Sequence, residues 1–355
     1  MSFDLDSLVR ENIRRLKPYS SARSEFAGSA EVFLDANENA FGSPAGNGYN
    51  RYPDPLQKEL KTRVGELTLV DPSQIFVGNG SDEAIDLLFR IFCEPGKDEC
   101  IVCPPTYGMY QVSADINDAT VKEVPLLSEF HLDVPAILSA VTPTTKLIFI
   151  CSPNNPTGNL MRRQDVIRIA EEFHGIVVVD EAYIDFADSE SLITELKRFP
   201  NLVVLQTFSK AWAMAGLRVG LAFASSEMIS LMNRVKPPYN VSGIAQRAVL
   251  DAIVKRDNVQ AWIGETIAER SRLVEALVAF EFAQTVYPTD ANFILVKTTD
   301  ANAIYQHLIG ERIVVRNRTS VMLCEGCLRI TVGTKAENDQ LLEALKSFRV
   351  GTKSV

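Results

Sequence analysis

This 355-residue sequence lacks most features that would place it outside ordinary globular enzymes. No stretch approaches the roughly eighteen consecutive apolar residues of a membrane-crossing helix, so no span is expected. The opening "MSFDLDSLVRENIRRLKPYS" mixes acids and bases and has no apolar core of a secretory signal, which makes the cytoplasm the expected address. Low-complexity segments and internal repeats are absent. So is an excess of basic residues: the formal charge is -9, and a nucleic-acid surface would need clustered lysine and arginine. A few local arginines would still suffice for a phosphorylated small molecule. Neither G-x-x-x-x-G-K-[ST] nor G-x-G-x-x-G occurs, because position 83 of "GNGSDEA" is Glu83.

The six cysteines include two C-x-x-C pairs, Cys100/Cys103 and Cys324/Cys327. They lie far beyond the spacing of about 15–20 residues found in zinc ribbons. "ECIVCPP" reads as a strand, on which residues three apart face opposite sides of a sheet. No metal site is expected, and the cysteines read as reduced core residues.

What is present is 46% hydrophobic and 23% charged residues in a chain too long for one core, so two domains are expected. From about residue 75, short aliphatic runs alternate with helical stretches: "IFVG", "CIVC", "KLIFICS", "GIVVVD" and "NLVVLQTF". These runs are apolar throughout, as strands covered on both faces are. The expected fold class is therefore α/β, a mostly parallel sheet sandwiched by helices. After residue 243 a long helical region, to about residue 280, leads into "ANFILVK", "RIVVRNRT" and "CLRITVGT", which reads as a smaller α+β domain with an antiparallel sheet. The expected division is an N-terminal arm at 1–40 that forms part of the small domain, a large domain at 41–242 and a small domain at 243–355.

Ligands of open α/β sheets sit beyond the carboxyl ends of the strands. The residues there are "GNGSDEA", "PPTYGMY", "SPNNPTGN", "DEAYIDF" and "TFSKAWAMAGLR". Gly80 and Ser81 start a helix whose free amides favour a phosphate; a plain turn with a serine cap is the competing reading. Asp180 ends a buried run and can pair with a protonated ring nitrogen, or simply cap a turn. Lys210 stands at a strand exit where burial and a neighbouring cation can free its amine as a nucleophile. A lysine amine, an acid for a ring nitrogen and a phosphate cup are together what pyridoxal phosphate requires.

"SPNNPTG", "VVVDEAY" and "TFSKAWAMAGLRVG", in that order, resemble the fold-type I pyridoxal-phosphate aminotransferases. "LDANENAFGSP", "NRYPDP", "GNGSDEAID", "PTYGMY" and "CLRITVGT" make the chain similar to the histidinol-phosphate aminotransferase family over nearly its whole length. The resemblance implies a reaction, amino transfer from histidinol phosphate to 2-oxoglutarate, giving imidazole acetol phosphate and glutamate in histidine biosynthesis. An aromatic aminotransferase and a threonine-phosphate decarboxylase are the alternatives on the same scaffold.

Carried over by residue, the resemblance has Lys210 hold pyridoxal 5'-phosphate as an imine and shuttle the substrate proton. Asp180 pairs with the ring nitrogen, Asn155 and Tyr183 with the ring oxygen, and Tyr107 stacks on the ring. Gly80, Ser81, Asp82, Thr207, Ser209 and Arg218 form the phosphate cup. Tyr52 reaches that phosphate from a second copy, which implies a homodimer with shared sites. Arg329 and Arg316 receive the acidic end of the substrate, although an exposed strand arginine is the competing reading for Arg316. Tyr19 and Asn37 match the substrate-facing loop; Ala40 and Phe41 stand where the family usually has proline and tyrosine.

Overall fold

A computed structural model of the chain describes residues 3–19, 31–46 and 48–348. Of the expected arm, residues 1–2 and 20–30 lie outside the described residues.

The larger of two sheets has seven strands: β1 (Ile75–Asn79), β2 (Glu99–Val102), β3 (Thr120–Glu123), β4 (Thr145–Cys151), β5 (Ile176–Asp180), β6 (Leu202–Thr207) and β7 (Val219–Phe223). Their order is β1-β7-β6-β5-β4-β2-β3. All run in one direction except β7, which is antiparallel to both of its neighbours. The chain between β6 and β7, residues 208–218, holds only a short 3-10 turn, Ala215–Leu217. A parallel return needs a crossover long enough for a helix, so this short excursion can only fold back beside β6.

The unbroken aliphatic runs have the meaning expected of them. Val177 and Val179 belong to the core on one face of the sheet, and Ile176 and Val178 to the core on the other. Ile148 and Ile150 are likewise divided from Leu147 and Phe149. With both faces covered, every position of such a strand must be apolar. The same alternation separates Cys100 from Cys103, which lie in opposite cores. All six cysteines are buried and unpaired.

The second sheet is antiparallel, with strands β8 (Ala283–Val286), β9 (Phe293–Thr298), β10 (Arg316–Asn317) and β11 (Cys327–Thr331) in the order β10-β11-β9-β8. Two features differ from the sequence reading. The helical region after residue 243 is two helices, Gly243–Ile253 and Arg256–Val278. In "RIVVRNRT" only Arg316 and Asn317 form a strand, the Arg318 N–H adding one more bond to Cys327 O, while Val315 packs in the small core with residues of helix Lys335–Ser347. A further apolar cluster joins the two sheets' surroundings: Tyr183 and Ala211, both from exits of the large sheet, pack with Val259, Ile263 and Phe293. Among the described residues, no helix is long and apolar enough to cross a membrane.

Candidate active site

The carboxyl ends of β1, β2, β4, β5 and β6 open onto a cavity of about 570 Å³, lined also by Arg316 and Arg329 of the second sheet and by Arg318 and Val321 from the segment between β10 and β11. Its walls include Gly80, Ser81, Asp82, Tyr107, Asn155, Asp180, Tyr183, Thr207, Ser209, Lys210 and Arg218.

At one end lies an anion cradle. Helix Ser81–Phe92 begins at Gly80, in a conformation (φ 78°) that favours glycine, and no side chain caps its first amides. The serine-cap reading therefore does not apply: Ser81 is inside the helix and its neighbours' amides are free for a ligand. A Cβ on Gly80 would lie 2.7 Å from an Arg218 amino nitrogen, so the glycine is what lets that guanidinium close on the helix start. Gly220 of β7 serves the same end, since a Cβ there would meet the Ser81 nitrogen at 2.1 Å. Arg218 itself has left-handed backbone (φ 55°) and pairs with Asp82 at 3.3 Å. The Tyr107 hydroxyl donates to the other Asp82 oxygen at 3.1 Å. Ser209 offers its hydroxyl beside Thr207, whose own oxygen accepts the Ser209 N–H at 3.0 Å. The helix macrodipole and the guanidinium together favour a phosphate.

At the other end Asp180 is 3% exposed. The Tyr110 hydroxyl donates to Oδ2 at 2.9 Å and the Ala182 N–H to Oδ1 at 3.1 Å. Burial pushes its pKa up to about 6, against the pull of these two donors. Tyr110 is fully buried and stacks on Phe149 with ring centroids 4.8 Å apart, so its hydroxyl is held where it is. A buried carboxylate supported from behind and open to the cavity in front fits a cationic ring nitrogen.

Lys210 lines the same cavity, its Nζ 5.5 Å from the centre of the Tyr183 ring. Its pKa is lowered, first by burial, then by Arg329, with Arg218 adding to the effect and Asp180 and Asp82 opposing it. Each lowering cause favours the neutral, nucleophilic amine. Asn155 accepts a hydrogen bond from Arg329 Nη1, and Arg329 rests over the Phe293 ring at 5.1 Å. An uncapped helix start with a guanidinium, a buried carboxylate and a softened lysine fit the phosphate, ring nitrogen and aldehyde of pyridoxal phosphate.

The cavity of one chain does not include Tyr19, Asn37 or Tyr52. Tyr19 is 73% exposed, and Asn37 is exposed with φ 54°. Tyr52 stacks on Tyr239 at 4.5 Å while its N–H donates to Glu38 Oε1 at 2.7 Å. Conversely, sequence reasoning missed Arg318 and Tyr110. Both had a signal: Arg318 follows Arg316 at strand spacing, and Tyr110 follows Tyr107 by one helical turn.

The sequence profile described as aminotransferase class I and II matches residues 25–345. A histidinol-phosphate aminotransferase of Cytophaga hutchinsonii is 53% identical over 98% of this chain and 100% of its own length. One from Parabacteroides distasonis is 51% identical, with 98% and 99% covered. The crystal structure of histidinol-phosphate aminotransferase from Sinorhizobium meliloti in complex with pyridoxal-5'-phosphate shares the fold: TM-score 0.77, 24% identity, 88% of this chain and 90% of that one. The chain belongs to the class I and II aminotransferases and, within them, to the histidinol-phosphate aminotransferase family.

Proposed function

We propose that this enzyme, with pyridoxal phosphate as its cofactor, transfers the amino group of histidinol phosphate to 2-oxoglutarate, giving imidazole acetol phosphate and glutamate in histidine biosynthesis. The observation that carries the reading is the placement of the Lys210 amine in one cavity with the guanidiniums of Arg316, Arg318 and Arg329, none of which has a carboxylate partner among the described residues, whereas Arg218 pairs with Asp82. An amine donor ending in a phosphate dianion supplies what both need.

When bound, pyridoxal phosphate supplies an aldehyde that takes up the amino group and a ring that draws electrons from the substrate α-carbon. The protein's part is positioning and proton transfer. Asp180 would keep the proton on the ring nitrogen, backed by the Tyr110 hydroxyl. Ser81, Thr207, Ser209, Arg218 and the amides of Gly80 and Asp82 would hold the phosphate. Asn155 and Tyr183 would donate to the ring oxygen, and Tyr107 would lie against the ring. Lys210 Nζ would take the proton from the substrate α-carbon and return it elsewhere, which requires the neutral amine that burial and Arg329 favour. Arg329 and Arg316 would receive the substrate phosphate.

We further infer a homodimer in which Tyr52 completes the phosphate cup of the second copy, with Tyr19 and Asn37 facing the substrate. Supporting this, Val32, Leu34 and Phe41 are 70%, 86% and 102% exposed in a single chain, and Tyr49 and Tyr52 are half exposed. A stretch of large apolar side chains left in water marks an interface. We read the domains as 41–242 and 243–355 with an arm at 1–40; the seven-stranded sheet falls in the first and the four-stranded sheet in the second. We place the enzyme in the cytoplasm, where its unpaired cysteines stay reduced.

Lys210→Ala tests the assignment. The variant should fold and bind the cofactor without the covalent absorbance, and lose turnover by roughly three orders of magnitude or more. Turnover within tenfold of the parent would refute it.

A further inference from the structure

We propose that Arg318 is a third anion-binding residue of the substrate pocket, and that it makes the pocket prefer a phosphate dianion to a carboxylate. The inference rests on the functional reading above and adds a specificity-determining residue to it.

The backbone sets up the arrangement. Arg316 on β10 lies directly opposite Arg329 on β11. The Arg318 N–H donates to Cys327 O at 2.8 Å, continuing the ladder by one more step. Residues two apart on a strand face the same side, and directly opposed residues do too. Three arginines therefore share one face, and all three line the cavity.

Apart from the Arg329 bond to Asn155, their side chains lack, among the described residues, the carboxylate and carbonyl partners that structural arginines find in this protein. Arg270, half-buried, donates one Nη to two carbonyl oxygens, of Phe186 and Ala291, at 3.1 and 3.0 Å. Arg163 pairs with Glu195 and also donates to the Glu190 carbonyl. Among the described residues, none of Arg316, Arg318 and Arg329 has a carboxylate within 4.0 Å, and the Nε atoms of Arg318 and Arg329 are buried with no hydrogen-bond partner. The carboxylates that do line the cavity are engaged elsewhere, Asp82 by Arg218 and Tyr107, Asp180 by Tyr110 and the Ala182 amide. Burial and the charge of Arg316 both work against the charge on Arg318. Arg316 is exposed, but the buried Nε donors of Arg318 and Arg329 are costly to leave unmet unless an anion joins them.

The count of donors and acceptors says which anion. Two guanidiniums can already saturate a carboxylate, which has one charge and two oxygens. A phosphate monoester dianion has two charges and three terminal oxygens, so it alone can use a third fork. The two amino donors of this reaction alternate in one pocket, one carrying a phosphate and the other only carboxylates. A third arginine is how the pocket can hold the first more tightly without losing the second.

The test uses the cofactor-loaded enzyme and two unreactive ligands, propyl phosphate and butyrate, each measured as a competitor of glutamate for the parent and for Arg318→Gln and Arg318→Lys. The ratio of the kcat/KM values for histidinol phosphate and glutamate is measured alongside. In Arg318→Gln, propyl phosphate should bind roughly ten- to hundredfold more weakly, the loss of one charge-assisted contact, and butyrate less than about threefold. The kcat/KM ratio should fall by the same factor as propyl phosphate binding. Arg318→Lys keeps the charge but not the fork, and should fall between. Equal weakening of both ligands would make Arg318 structural, and no weakening of either would remove it from the pocket; either result overturns the proposal. Failure of the parent to react with histidinol phosphate would instead overturn the functional reading, while the comparison of the two unreactive ligands would still decide on Arg318.

Discussion

Replacing Asp180 by asparagine should make the cofactor-free protein more stable while crippling its hold on the cofactor. Burial raises the Asp180 pKa from 3.8 to about 6. A carboxyl that is less acidic when folded favours the folded state only while protonated. That contribution is whole below about pH 3.8 and is lost as pH rises through about 6. Above this range the folded apoprotein carries an ionised buried carboxylate, and roughly two pKa units at about 1.4 kcal/mol each put the cost near 3 kcal/mol. Asparagine keeps an oxygen for the Ala182 N–H and turns its amide to the Tyr110 hydroxyl, so the site keeps its shape and loses its charge. Urea unfolding of the apoprotein should show the variant about 2–3 kcal/mol more stable at pH 8 and equal to the parent within about 0.5 kcal/mol at pH 4. Cofactor titration should show binding weaker by roughly tenfold or more, because a neutral amide cannot answer a ring cation. The reasoning fails if the variant is no more stable at pH 8, or if it is more stable yet holds the cofactor as the parent does.

Two other expectations use the same site. Tyr110→Phe removes a donor that holds Asp180 ionised, so the Asp180 pKa should rise by roughly one to two units. Cofactor affinity should then drop most near pH 6.5 and recover towards pH 8.5; a loss independent of pH would mean that Tyr110 only fills space. Mixing Lys210→Ala chains with Tyr52→Phe chains should regenerate intact sites in hybrid dimers, with activity above that of either variant alone. Absence of any gain would place both residues in the same chain's site.

Much of the site could be read in the sequence because each strand of an open sheet ends where an apolar run ends. "GIVVVD" stops at Asp180 and "NLVVLQT" at Thr207, and the structure brings both exits to one cavity. Lys210 was legible for the same reason. Strand β7 was not: its residues Val219–Phe223 look like any buried run, and its direction follows from how little chain separates it from β6. The cationic wall was half legible. Arg316 and Arg329 could be named from the resemblance, but that Arg318 joins them depends on a cross-strand register, Arg316 opposite Arg329, which no local pattern states. Tyr110 escaped because its partner Asp180 lies 70 residues away. Tyr52, by contrast, lies outside the cavity of a single chain, and the role proposed for it depends on a second copy.

The most direct test of the central claim is a half-reaction. The cofactor-loaded enzyme is mixed with histidinol phosphate, phenylalanine or O-phosphothreonine, one at a time and without an oxo acid, while the cofactor absorbance is followed. Rapid, complete conversion to the amine form by histidinol phosphate, with phenylalanine far slower and no gas released from phosphothreonine, is the predicted result. Equal conversion by phenylalanine, or carbon dioxide released from phosphothreonine, would contradict it.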